Sequence, residues 1–113
     1  MPVAEAETTT LPETSTVVGG TKEPAAPGEL TRTWASIHLD AVRNNVRLIK
    51  NRMLKQGAGL LAVVKANAYG HGAVEVSRAA LEAGAQCLGV ANVMQGLELR
   101  EAGLDAPILL LGP

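Results

Sequence analysis

Leu60-Leu61-Ala62-Val63-Val64-Lys65-Ala66-Asn67-Ala68-Tyr69-Gly70-His71-Gly72 is the stretch on which the fold turns. Leu60 to Val64 is a continuous apolar run too short for a helix, the pattern of a strand buried on both faces of a parallel sheet. Lys65 therefore stands at the strand's carboxyl end, where parallel α/β folds gather their sites. Gly70 and Gly72 permit a close turn, so the segment to Gly72 reads as a loop that delivers the chain to a helix.

Working outward, the elements alternate regularly. The pattern predicts a strand from Leu60 to Lys65, a helix from Ala73 to Ala83 stopped by Gly84, and a strand from Gln86 to Ala91. A second helix from Met94 to Ala102 ends at Gly103, and Pro107 introduces the apolar run Ile108 to Leu111 as a third parallel strand. Right-handed crossovers would place both helices on one side of this βαβαβ sheet, as in a barrel wall or half of a doubly wound fold. Pattern alone does not choose between those two. Upstream, Trp34 to Leu39 alternates as a strand and Asp40 suits an N-cap. Val42, Val46, Ile49 and Met53 then recur at helical spacing, with Arg43, Arg47, Lys50 and Arg52 mostly on the solvated side, until the helix stops near Gln56-Gly57.

The first 29 residues differ from the rest. They carry five glutamates against Lys22 alone, giving a net charge of −4 where the whole chain has −1. With so little apolar material to offset the entropy of ordering, 1–29 is expected to be a disordered acidic tail and 30–113 the folded part. The tail begins with Glu5 and Glu7 and has no apolar core, so it matches neither a secretory signal nor an arginine-rich transit peptide. A cytoplasmic location and no membrane span are expected. Hydrophobic residues make up 47% of the chain, enough for a globular core. Trp34 and Tyr69 are the only aromatic residues and no cationic cluster stands out, which argues against nucleic acid as a partner. Cys87 is the only cysteine, so no disulfide framework or cysteine-based metal site can form within one chain, and its apolar strand setting suits a core thiol. No metal is expected.

Read from the residues alone, Lys65 is either a reactive amine or a lysine that ends a strand and extends into water. Tyr69, four residues on, is either a phenol donor or a cap over the core. His71 suits a helix-start or packing role better than acid–base work. Val63 and Leu111 are strand residues that any apolar core would accept.

The string from Val63 to Gly72 closely resembles the signature around the cofactor lysine of alanine racemases. The resemblance extends over Trp34-Ala35-Ser36-Ile37-His38-Leu39-Asp40, Ala80-Leu81-Glu82-Ala83-Gly84-Ala85, Leu99-Arg100-Glu101-Ala102-Gly103 and Pro107-Ile108-Leu109-Leu110-Leu111-Gly112. Other lysine-aldimine barrels, such as amino acid decarboxylases, resemble only the shorter Val64-Lys65-Ala66-Asn67 core. The resemblance implies an α/β fold that is the opening part of a (β/α)8 TIM barrel, and interconversion of L- and D-alanine that supplies D-alanine to peptidoglycan. It implies pyridoxal 5'-phosphate held on Lys65, with Lys65 also one of two catalytic bases. Tyr69 would hydrogen-bond the phosphate, and Val63 and Leu111 would line the cofactor ring. A homodimer is implied for the complete enzyme. One departure is Gln95-Gly96, where many family members place an acidic residue followed by alanine; the glycine weakens that helix by about 1 kcal/mol.

A complete barrel of this type takes about 250 residues, so 113 residues are expected to form only its first part. In the family the opposite catalytic base is a tyrosine from a later β domain of the partner subunit, and this sequence has no counterpart for it. Neither has it an identifiable arginine for the cofactor's pyridine nitrogen. The 113 residues alone are therefore expected to be poorly soluble or partly folded and to lack racemase activity. Two other readings remain: a non-catalytic pyridoxal phosphate carrier, and a piece that docks onto an intact racemase through an exposed sheet edge.

Overall fold

The computed structural model describes residues 15–18, 33–54 and 56–112. Its elements are β1 (Ser15–Val18), β2 (Ala35–His38), α1 (Leu39–Arg52), β3 (Leu61–Val63), α2 (Lys65–Tyr69), α3 (Ala73–Glu82), β4 (Cys87–Val90), α4 (Val93–Glu101) and β5 (Ile108–Leu110). The strands form two sheets. β1 and β2 make an antiparallel pair in which Ser15 opposes His38 and Val18 opposes Ala35. β3, β4 and β5 form a parallel sheet in that order, with Ala62, Leu88 and Ile108 aligned in one row and Val63, Gly89 and Leu109 in the next.

The period of two along these strands decides which residues meet the helices. Ala62, Val64, Leu88, Val90 and Ile108 face α3 and α4 and close a core with Ala73, Leu99 and Leu104. Leu88 and Leu99 are fully buried there. Both helices thus cover the same face, as right-handed crossovers require. A second cluster joins Val46 of α1 to Ala80, Ala83 and Ala85, so α1 lies against α3. The small alanines let the two helices approach. Arg43 of α1 spans the seam, donating to Asp40 at 3.0 Å and to Glu82 of α3 at 2.9 Å. Its hydrogen bond to Glu82, ahead of the nearby carboxylate charges and against some burial, holds the guanidinium still more firmly in its charged form. Fully buried Ser77 on α3 has no hydrogen-bond partner for its Oγ among the described residues.

Several local expectations are corrected. The first long helix begins at Leu39 and its N-cap is His38, not Asp40. Burial of Leu39 draws the helix start two residues earlier, leaving Asp40 in the first turn, where its carboxylate suits the helix dipole and receives Arg43. That helix ends at Arg52, before Gln56-Gly57. β3 is covered on one face only: Val63 is 39% exposed while Val64 is 1% exposed. Within the tail expected to be disordered, Ser15–Val18 forms a strand, consistent with the β-branched run Thr16-Val17-Val18. Most of that segment, residues 1–14 and 19–29, lies outside the described residues.

The second predicted helix gains a start signal not anticipated from the sequence. The Asn92 Oδ1 accepts the Gln95 amide at 3.0 Å, and the Gln95 Oε1 accepts the Ala91 amide at 2.8 Å. Asn92 caps the helix and Gln95 reaches back to the residue before the cap, which explains why Gln95 suits a helix start. Gly96 is buried, and a methyl there would meet Ile108 and Val90 at 3.8 and 3.9 Å, ordinary contact distances, so packing does not demand glycine. No helix among the described residues is long and apolar enough to cross a membrane.

Candidate functional site

β3 ends at Val63, two residues short of the expected Lys65, and Lys65 follows one residue further on, after Val64; it is half-buried. The chain beyond it does not form the expected loop. It winds left-handed: Ala66, Asn67 and Ala68 have φ of 52°, 54° and 52° with ψ of 47°, 46° and 48°, and Tyr69 has φ of 54°. An L-residue in this conformation brings its Cβ against the following carbonyl, at roughly 1–2 kcal/mol per residue, and asparagine alone among these four tolerates it readily. Such strain persists only where surrounding contacts over-determine it.

Those contacts are visible at both ends of the turn. The Ala68 amide donates to the Val64 carbonyl at 2.9 Å, tying the turn to the strand end. The Gly70 amide donates to the Ala66 and Asn67 carbonyls, each at 3.1 Å, and the Gly72 amide donates to Asn67 at 2.9 Å. Gly70 and Gly72 have φ of 86° and 94°, which glycine alone adopts without steric cost. The Asn67 Oδ1 then accepts the amide of Ala73, the first residue of α3, at 2.8 Å. His71 Nδ1 lies 3.0 Å from the Ala68 carbonyl and 3.1 Å from that of Tyr69. Carbonyl oxygens only accept, so Nδ1 carries the proton and donates. His71 is thus tied to the turn, and it stands before the N-cap of α3 rather than within that helix.

The turn carries Lys65 and Tyr69 at its two ends, with Tyr69 61% exposed. Val63 lies beside Gly89 in register and shares its side of the sheet, the side away from α3 and α4. A Cβ on Gly89 would come within 2.8 Å of the Leu61 Cδ2 and 3.0 Å of the Leu111 Cδ1, so Leu111 is on that side too. Val63 and Leu111, singled out from the sequence, therefore share the open apolar face, next to the strand end that bears Lys65. Sequence reasoning missed Asn67 and Gly89. The signal for Asn67 was its residue type inside an otherwise apolar string; for Gly89 it was a glycine in a strand, which often marks a close approach.

The model of the alanine racemase N-terminal domain family matches residues 37–113. The chain belongs to this family. It is 57% identical over 81 residues to the alanine racemase of Nostoc sp. and 55% identical over 80 residues to that of Geobacillus stearothermophilus. These alignments cover 72% and 71% of this chain but 21% and 20% of those relatives, so the chain spans about a fifth of the length of the curated racemases it matches. Among solved structures, the Bacillus anthracis alanine racemase with bound L-Ala-P superposes with a TM-score of 0.64 at 53% identity, covering 66% of this chain and 19% of that one. The enzyme from E. faecalis gives 0.62 at 49% identity, covering 65% and 19%. Family membership decides between the two sheet architectures left open by the pattern: β3, β4 and β5 are the opening strands of a TIM barrel.

Proposed function

We propose that this chain is the amino-terminal part of an alanine racemase that interconverts L- and D-alanine with pyridoxal phosphate held on Lys65. The observation that carries the proposal is the placement of Lys65 at the carboxyl end of a family-matched barrel strand, at the head of a strained turn that ends in Tyr69. Energy is invested in this turn, and strained backbone gathers at functional sites.

The residues present fit the cofactor. Lys65 offers a primary amine beyond the strand end, and Val63 and Leu111 present exposed apolar side chains on the neighbouring face of the sheet. The chemistry supplied by bound pyridoxal phosphate is capture of the substrate's amine by an aldehyde and withdrawal of electrons from the neighbouring carbon. Lys65 holds the cofactor and, once its amine is freed, takes or returns the Cα proton on one face of alanine. Tyr69 donates its phenol hydrogen to the phosphate. Val63 and Leu111 pack against the ring and exclude water. The base for the opposite face comes from a later β domain of a partner subunit, so the working species is a homodimer, in the cytoplasm, supplying D-alanine for peptidoglycan.

Borohydride reduction of the native gene product with pyridoxal phosphate, followed by peptide mass mapping, tests this reading. A pyridoxyl group on Lys65, together with racemisation of either alanine enantiomer that Lys65→Ala abolishes, is the expected result. Labelling without racemisation would indicate a carrier. No label on Lys65 would refute the proposal.

A further inference from the structure

We infer that Asn67 is a positioning residue that sets the directions of Lys65 and Tyr69 by locking the left-handed turn between them to helix α3. The inference rests on the function proposed for Lys65 and concerns a residue that itself touches no reacting atom.

Asn67 accepts three hydrogen bonds. Its carbonyl takes the amides of Gly70 and Gly72, and its side-chain Oδ1 takes the amide of Ala73 at 2.8 Å. That last amide is one of the unpaired donors that open every helix. Ala73 is the first residue of α3 and its N-cap is Gly72; an N-cap side chain reaches the amides of the second or third helical residue, so the Ala73 donor needs an acceptor from outside the helix. Asn67 supplies that acceptor from six residues upstream, so one side chain joins the start of α3 to the turn.

The turn's location gives this coupling its consequence. Lys65 and Tyr69 stand two residues on either side of Asn67, on a backbone whose conformation alanine and tyrosine disfavour. Released from Ala73, Ala66, Ala68 and Tyr69 would return toward right-handed or extended conformations, and both flanking side chains would swing away. Asparagine meets both demands, because it tolerates the left-handed region and carries an acceptor of the right length. Aspartate retains both properties, whereas glycine retains only the conformational freedom.

The test uses Asn67→Gly and Asn67→Asp in the native gene product, with two readouts. Hydrogen exchange at the Ala73 amide is measured without cofactor, and borohydride trapping then gives the pyridoxyl label on Lys65 relative to the other lysines. In Asn67→Gly the Ala73 amide is expected to lose protection and the Lys65 label to fall about tenfold or more, since misplaced reacting groups lose rate steeply. Asn67→Asp is expected to restore both. A merely structural asparagine would alter exchange without altering which lysine is labelled. Wild-type labelling in Asn67→Gly despite an unprotected Ala73, or unchanged protection of Ala73, would overturn the inference while leaving the role of Lys65 intact. If the wild-type protein itself takes no label on Lys65, the proposed function fails and the inference with it. Should Asn67→Gly not fold, Asn67→Asp decides: wild-type labelling supports the inference and loss of label overturns it.

Discussion

Replacing Ala66 with glycine is expected to stabilise the protein, although the same substitution in an ordinary helix destabilises. Ala66 has φ of 52° and its side chain is exposed. Removing its Cβ relieves roughly 1–2 kcal/mol of left-handed strain. Against this, glycine adds about 0.4–1 kcal/mol of unfolded-state entropy to be lost on folding. No burial is lost, so the net gain is roughly 0.5–1 kcal/mol. Ala68 has the same φ but is only 5% exposed, within the core cluster that includes Val64 and Ala73. Its methyl contributes about 0.8 kcal/mol through burial, which brings Ala68→Gly close to neutral. Ala79 is the control: it is fully buried in right-handed α3, where glycine loses about 1 kcal/mol of helix propensity and a similar amount of burial. Urea unfolding with a common slope should therefore rank the midpoints Ala66→Gly, Ala68→Gly, Ala79→Gly from highest to lowest, with about 2–3 kcal/mol between the extremes. If Ala66→Gly lowers stability as Ala79→Gly does, the turn is not left-handed in solution and the reasoning fails.

Three further outcomes are expected. Tyr69→Phe should weaken pyridoxal phosphate binding by roughly tenfold or more, the effect of losing a hydrogen bond to a charged group, and leave stability within about 0.5 kcal/mol because Tyr69 is largely exposed; unchanged affinity in a fluorescence titration would remove Tyr69 from the site. Ser77→Ala should raise stability by about 1 kcal/mol, since it removes a buried hydroxyl without a partner and adds a better helix former; a fall in the unfolding midpoint would mean that this hydroxyl is satisfied. Arg43→Ala should cost roughly 0.5–1 kcal/mol at low ionic strength, and the difference from wild type should shrink in molar salt because both carboxylate partners are half exposed. A salt-independent loss would assign Arg43 a packing role.

Sequence pattern alone determined the order of β3, α3, β4, α4 and β5, though not the intervening α2, because the apolar runs there are short, helical spacing lies between them, and Gly84 and Gly103 stand just past the two helix ends. It also singled out Lys65 as the candidate reactive amine, a lysine just past an apolar strand in the string Val63 to Gly72 that resembles one family's signature. Three matters were decided only in the tertiary structure. The left-handed turn carries no propensity signal, because alanine and tyrosine disfavour that conformation and accept it only when Val64, Asn67 and His71 hold its ends. The acceptor for the first amide of α3 comes from six residues upstream, beyond any local capping pattern. That β3 leaves Val63 on an open face with Leu111 depends on the register between strands that are distant in the chain, whereas the apolar run reads the same whether one face or two are covered. Local periodicity records what a segment prefers; hydrogen bonds and packing between segments decide when that preference is overruled.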